Sequence, residues 1–174
     1  MERPNGGKER RCITLDIKER LTELFKDKGA DVHLEVTANG KFSEYLKSKI
    51  PPNRGIVFYF LRKVAPDITG YVEGCAFPGF VVVEVKKDEI DLDDIYQLKN
   101  YYDLFEARFA FLISLKPIPA EIKHLSQTTF LMSRLKGGNI YQAFALAHFD
   151  AVSKEFVDWF EENPFTDPIY WRRG

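Results

Sequence analysis

Three polar residues beside predicted strands have the types and spacing needed for phosphodiester hydrolysis. Asp67 follows Pro66 at the end of one predicted strand, and Glu84 and Lys86 flank Val85 at the end of the most apolar strand. Because side chains alternate along a strand, Glu84 and Lys86 project from one face. If the two strands are neighbours, the carboxylates of Asp67 and Glu84 can converge on one divalent cation.

A pair of carboxylates suits Mg²⁺, which takes one or two protein carboxylates and keeps its other positions for water and substrate phosphate. The cation would lower the pKa of a bound water and stabilise charge in the transition state. Lys86 could position that water or stabilise the oxyanion. Either motif alone is weak, since a Glu-x-Lys is usually a solvated pair and a Pro-Asp usually a turn. Their order along the chain predicts a metal-dependent phosphodiesterase with Mg²⁺ as cofactor and Mn²⁺ as a substitute.

Hydrophobic periodicity predicts the elements that position these residues. Asp16 would cap the first helix, Gly29 would stop it, and Asp91 would cap the helix after the apolar strand. The predicted helices span 16–28, 42–49, 92–107 and, in the tail, mainly 139–161. The predicted strands span 32–36, 56–64, 80–86 and 109–115, with a short strand or turn at 71–74. The fold class is therefore α/β, with a mixed sheet flanked by helices.

Composition narrows the class of protein. The 174 residues predict one domain, 1–174, with a core at about 16–116 and a helical C-terminal extension at about 121–174. The 45% hydrophobic and 29% charged residues are typical of a soluble globular chain with no bilayer-spanning run. Two cysteines exclude a four-cysteine metal site, and a reducing cytoplasm is expected.

The net charge of −1 excludes a uniformly basic nucleic-acid coat, so DNA would have to meet a local cluster of cations. The candidates for this basic rim are Lys8, Arg10, Arg11, Lys47, Lys49, Arg54, Arg62, Lys63, Lys86 and Lys87. Contacts with phosphates would make binding sensitive to salt and give it little sequence preference.

The order of these motifs resembles the PD-(D/E)XK nuclease superfamily, whose signature is Pro-Asp, a spacer and Asp/Glu-x-Lys in a helix–strands–helix–strand core. The match covers roughly residues 16–116. Gln97 and Tyr101 lie one turn apart on the next helix and resemble the Gln-x-x-x-Tyr of the RecB-like branch.

The resemblance implies a restriction-endonuclease-like core and a metal-dependent deoxyribonuclease. It implies that Asp67 and Glu84 bind the metal and that Lys86 assists the water. Gln97 and Tyr101 would hold the site or the DNA backbone.

The family often adds an acidic residue on the first helix. Glu19, followed by Arg20, is similar to the Glu-Arg of archaeal Holliday-junction resolvases and is the candidate third metal ligand. Glu23, one turn later, and Glu35 on the next strand are alternatives, and a surface salt bridge is the other interpretation of all three.

Two further choices stay open at this stage. The aromatic residues of the C-terminal region either cover the sheet or form a homodimer surface. The rival to a nuclease is a catalytically silent module that binds nucleic acid or protein on the same scaffold. Endonuclease and exonuclease, DNA and RNA, and roles in repair, restriction, mobile elements or viruses are not distinguished.

Overall fold

A mixed β-sheet forms the centre of the protein in the computed structural model, which describes residues 6–132, 142–160 and 162–171, with side chains from residue 11 onward. Within these ranges the sheet has six strands in the order β1 to β6. The middle strands β3, β4 and β5 are parallel, and the other neighbours are antiparallel. The strands are β1 (Asp31–Val36), β2 (Ile68–Glu73), β3 (Gly79–Lys86), β4 (Phe109–Ser114), β5 (Ala143–Asp150) and β6 (Glu155–Phe160).

Helices cover both faces of this sheet. The described helices are α1 (Gly6–Asp27), α2 (Glu44–Lys49), α3 (Ile56–Phe60), α4 (Leu92–Phe105) and α5 (Ala120–Thr128), with short 3₁₀ turns at Pro52–Arg54 and Pro168–Tyr170. The α/β class with a mixed sheet flanked by helices is thus confirmed. None of the described helices is long and apolar enough to cross a membrane.

The alternation of β3 divides the core into two parts and assigns the polar residues to one of them. Val81 and Val83 pack with α1 on one face, whereas Phe80 and Val82 pack with α2 to α5 on the other. By the period of two, Glu84 shares the face of Phe80 and Val82. Glu84 and Lys86 therefore project toward α4.

The first helix begins ten residues earlier than predicted, at Gly6. The prediction that Asp16 caps it is wrong, because Asp16 lies inside α1. Asp16 Oδ1 forms an ion pair with Lys154 Nζ at 2.8 Å. Ile17, Leu21 and Phe25 form the predicted apolar stripe and are fully buried.

The predicted strand over 56–64 is wrong. This segment forms α3, with Val57 and Leu61 buried at helical spacing, while Ile56 and Phe60 are exposed. Its aromatic and β-branched residues suggested a strand, but the 3₁₀ turn that leads into Gly55 winds the backbone into a helix. The true partner of β3 is β2, which spans the segment predicted as a short strand or turn. Asp67 thus precedes a strand instead of ending one.

The predicted helical tail is also wrong, because residues 143–160 form a β-hairpin that joins the same sheet. Residues 139–141 of that predicted helix lie outside the described residues. Ala143, Ala145 and Ala147 face α1, and Phe144 and Leu146 face α4, so β5 is buried on both faces. Such two-sided burial of a parallel strand gives a continuous apolar run that a helical period can imitate.

The C-terminal aromatic residues cover the α1 face of the sheet. Trp171 stacks on Phe109 with ring centroids 5.5 Å apart, and Phe165 stacks on Phe111 at 5.9 Å. Phe165 also meets Phe25 of α1 edge to face. The aromatic side chains of the region therefore cover the sheet, as the first interpretation expects, and the homodimer surface stays a prediction.

Candidate metal and phosphodiester site

Asp67 and Glu84 are directed to the same place by the pairing of β2 and β3. Ile68 is paired with Val83 in antiparallel register, and one step further Asp67 comes opposite Glu84. Side chains of directly opposed residues lie on one face with Cβ atoms about 5 Å apart. The two carboxylates therefore share one side of the sheet, as the sequence predicts.

The backbone around Asp67 is held on both sides. Thr37 N–H donates to the Asp67 carbonyl at 2.9 Å, and the Thr37 hydroxyl donates to the Pro66 carbonyl at 2.8 Å. From the β3 side, Val85 N–H donates to Asp67 Oδ2 at 2.9 Å. Asp67 and Glu84 are each only 4% exposed. Such burial fixes the carboxylates in position, at a desolvation cost that a bound cation would offset.

Lys86 lies beside Glu84 and contacts three oxygen atoms. Its Nζ is 2.8 Å from Asp94 Oδ1, 2.9 Å from Gln97 Oε1 and 3.2 Å from Glu84 Oε1. Burial alone would lower the pKa of Lys86, but its contacts with Asp94 and Glu84 raise that pKa overall. Lys86 is consequently an ammonium at neutral pH, and all three of its N–H donors have acceptors.

Gln97 and Tyr101 extend this network along α4. Gln97 accepts from Lys86 through Oε1 and donates from Nε2 to the Tyr101 hydroxyl at 3.1 Å. Burial raises the pKa of Tyr101, and the charges of Glu84 and Asp67 raise it further, so the ring is a neutral phenol near both carboxylates. The structure therefore joins all five predicted catalytic residues in one cluster.

The carboxylates line a cleft of about 550 Å³ at the edge of the sheet. We call it the carboxylate cleft. The cleft lies where β1 and β3 end. The N-terminal halves of α1 and α4 line it from the side. The polar residues of the lining include Arg11 and Thr14 from α1, Lys63 from the segment before β2, and Gln97, together with Asp67 and Glu84.

Asp94 is the member of the cluster that sequence reasoning missed. Acidic residues in the first turn of a helix ordinarily stabilise its N-terminus, and Asp94 does exchange hydrogen bonds with Asp91 in a capping box. Its other carboxylate oxygen nevertheless pairs with Lys86. The spacing of Asp94, Gln97 and Tyr101 at i, i+3 and i+7 places them on one helix face, which is the signal that could have identified Asp94.

The structure does not bring the candidate third ligand to this cleft. Glu19 is exposed on α1. After the larger effect of Asp16, its negative charge helps to raise the pKa of Lys154, which lies in the turn between β5 and β6. Among the described α1 residues only Arg11, Thr14 and Leu15 line the cleft, and Glu19 lies one helix turn further along α1 than Leu15.

The two alternatives to Glu19 are engaged in other contacts. Glu23 pairs with Arg20 at 3.0 Å, on the surface. Glu35 accepts hydrogen bonds from the backbone and hydroxyl of Ser43, the residue that caps α2, and lies 2.7 Å from His33. Burial would raise the pKa of Glu35, but the Ser43 and His33 contacts lower it overall. Both residues therefore fit the salt-bridge interpretation.

The basic rim is divided by the structure. Arg11 and Lys63 line the carboxylate cleft. Lys49 pairs with Glu73 at 2.6 Å, and Arg54 pairs with Glu106 at 2.6 Å, so these two cations serve internal contacts. Lys47 and Arg62 line a neighbouring groove. The side chains at positions 8 and 10 lie outside the described residues.

The donor set fits a hard divalent cation in chemistry and placement. Two carboxylates on one face beside an open cleft suit Mg²⁺, which retains water and accepts substrate oxygens. Within the described part of the chain, no group of three or more His, Cys, Asp or Glu side chains is placed to hold a metal. A cation here would thus have two protein carboxylates. Comparisons of the chain with protein-family models, curated proteins and solved structures found no match.

Proposed function

We propose that this protein is a Mg²⁺-dependent deoxyribonuclease with a restriction-endonuclease-like core. The observation that carries the proposal is the β2–β3 register, which opposes Asp67 and Glu84 and leaves Lys86 beside them. Apart from α2, the 3₁₀ turn and α3 between β1 and β2, the order helix, three antiparallel strands, helix, parallel strand also agrees with the resemblance to PD-(D/E)XK nucleases.

Each residue has a role that follows from its contacts. Asp67 and Glu84 would hold Mg²⁺, with Mn²⁺ as a substitute, and the bound ion supplies Lewis acidity toward water and phosphate oxygens. Arg11 and Lys63 are placed to contact phosphates of the DNA at the opening of the cleft.

Lys86 acts as a donor in this scheme, because its raised pKa keeps it protonated at neutral pH. Its longest contact, 3.2 Å to Glu84, is the one most readily exchanged for a water or phosphate oxygen. Gln97 and Tyr101 keep the ammonium directed at the carboxylates and act as positioning residues.

The test is to incubate the purified protein with linear, circular, single-stranded and branched DNA in Mg²⁺, in Mn²⁺ and in EDTA. Asp67→Asn and Glu84→Gln should each reduce cleavage by a factor of about 100 or more. Asp158→Asn, a carboxylate on β6 that pairs with Lys123, is the matched control and should cut like the wild type. Wild-type cleavage by both cleft variants would overturn the site assignment.

The same experiment decides against the rival function. A catalytically silent module would bind DNA equally with and without metal and would cut none of the substrates. Cutting of the circle would identify an endonuclease, and cutting only of branched DNA would identify a structure-selective enzyme.

The cellular setting and assembly are secondary parts of the proposal. Both cysteines, Cys12 and Cys75, are free thiols, which agrees with a reducing cytoplasm. A homodimer stays a prediction, and sedimentation of the purified chain measures it.

A further inference from the structure

The segment between β1 and β2 exposes an unusual amount of apolar surface. Ile56, Tyr59 and Phe60 of α3 are 60%, 58% and 68% exposed, and Val64 four residues later is also exposed. Clustered exposed apolar side chains of this size are typical of a binding surface. Their position next to the carboxylate cleft connects them with the proposed site.

This segment is also the most basic part of the chain. Residues 37–66 contain six Lys and Arg and one acid, Glu44, in a protein whose net charge is −1. Lys41, Lys47 and Arg62 line a groove of about 840 Å³ together with Phe58 and Tyr59. We call it the aromatic groove. The Arg62 guanidinium lies over the Tyr59 ring, 4.9 Å from its centroid.

The aromatic groove adjoins the carboxylate cleft. Asn39 lines the cleft and Gly40 the groove, and in the same way Lys63 lines the cleft and Arg62 the groove. Gly40 has a φ of +73°, and a Cβ there would collide with the Arg62 carbonyl. The ridge between the two depressions is therefore only one backbone contact thick, and a polymer can cross it.

We propose that the aromatic groove binds unpaired nucleotides of the DNA strand that the carboxylate cleft holds, an inference that rests on the proposed function. Exposed aromatic rings stack on bases, and neighbouring cations bind the phosphates between them. In a duplex the base faces are covered by their neighbours, so Tyr59 finds a stacking partner only in unpaired DNA. The groove thus selects single-stranded tails, flaps or branch points as substrates.

The test measures binding in EDTA, so that no cleavage is required. Fluorescence anisotropy compares a labelled oligothymidylate of about 15 nucleotides, a length that covers one such site, with a blunt duplex of equal length. Tyr59→Ala should weaken single-strand binding about fivefold to 100-fold and leave duplex binding unchanged. Tyr59→Phe, which keeps the ring, should bind like the wild type.

Matched controls lie away from the groove. Tyr96→Ala removes another tyrosine of similar exposure, 48%, from α4 and should not change single-strand binding. Arg62→Gln should weaken binding and reduce its salt dependence, whereas Lys28→Gln at the far end of α1 should do neither.

Three outcomes would overturn the groove: wild-type single-strand affinity in Tyr59→Ala, an equal loss in Tyr96→Ala, or Tyr59-dependent binding to vesicles of anionic lipid without binding to DNA. Failure of the proposed function gives a different pattern. Tyr59-dependent single-strand binding without cleavage of any DNA in Mg²⁺ would support the groove and count against the nuclease.

Discussion

The ammonium of Lys86 stabilises the buried carboxylates and also takes part in the proposed chemistry. Its removal therefore tests the electrostatic reasoning directly. Lys86→Met keeps an unbranched, flexible side chain that is one heavy atom shorter and deletes the charge. Glu84 and Asp94 would then stay close together without the cation that contacts both, at 3.2 and 2.8 Å. Gln97 would lose its donor as well.

The expected loss follows from burial. Removal of one partner from a buried ion pair costs roughly 3–5 kcal/mol of unfolding free energy. Asp94 is partly accessible to water, so we expect the lower end, about 3 kcal/mol. For a chain of this length 1 kcal/mol corresponds to roughly 2–4 °C, so the Tm should fall by about 6–12 °C.

Urea unfolding and calorimetry at neutral pH measure this loss. Lys154→Met is the matched control, because Lys154 pairs with Asp16 at the same 2.8 Å but its side chain is 61% exposed. An exposed pair contributes about 1 kcal/mol or less. If Lys86→Met lowers the unfolding free energy no more than Lys154→Met does, the view that the carboxylate cluster depends on the Lys86 ammonium is refuted.

The pH dependence provides a second check. The pKa of Lys86 is raised in the folded protein above its ordinary value of 10.5, because the contacts with Asp94 and Glu84 outweigh burial. The stabilisation is therefore fully present below pH 10.5 and is lost as the pH rises through the raised value. The difference between wild type and Lys86→Met should be constant from pH 7 to about 10 and shrink above it.

Three further outcomes are expected. Gln97→Met should slow Mg²⁺-dependent cleavage about 10-fold to 100-fold in a DNA-cutting assay, because it removes the partner that positions the ammonium, and an unchanged rate would contradict that role. Burial raises the pKa of Tyr102 from 10.0 to about 12, so the unfolding free energy should fall between these pH values. In urea titrations the unfolding free energy of Tyr102→Phe should fall by roughly 3 kcal/mol less than that of the wild type over this pH range. Identical pH profiles for the two proteins would contradict the prediction. Gly70→Ala should cost about 3 kcal/mol or more, since its Cβ would collide with the backbone of the adjoining strand, whereas Gly55→Ala should change stability little.

Local signals predicted the part of the site that lies on one strand and one helix. Glu84 and Lys86 follow from the period of two in a strongly apolar strand, and Gln97 and Tyr101 were chosen from the resemblance to a Gln-x-x-x-Tyr pattern whose members lie one helix turn apart. Asp94 was not identified as part of the site, because its pairing with Lys86 depends on how α4 lies against β3. Glu19 was chosen from a local resemblance, and it lies one helix turn beyond Leu15, the last residue of α1 that lines the cleft.

What the sequence by itself determined was the α/β class, the apolar strand β3 and the residue types that suit a divalent cation, because each depends on periodicity or composition within a few residues. The tertiary structure alone decided that Asp67 lies just before β2 and opposite Glu84, that residues 56–60 are helical, and that the tail adds two strands to the sheet. Those outcomes depend on which strands pair and which side chains find a core. Such contacts join residues far apart in the chain, so no local pattern specifies them.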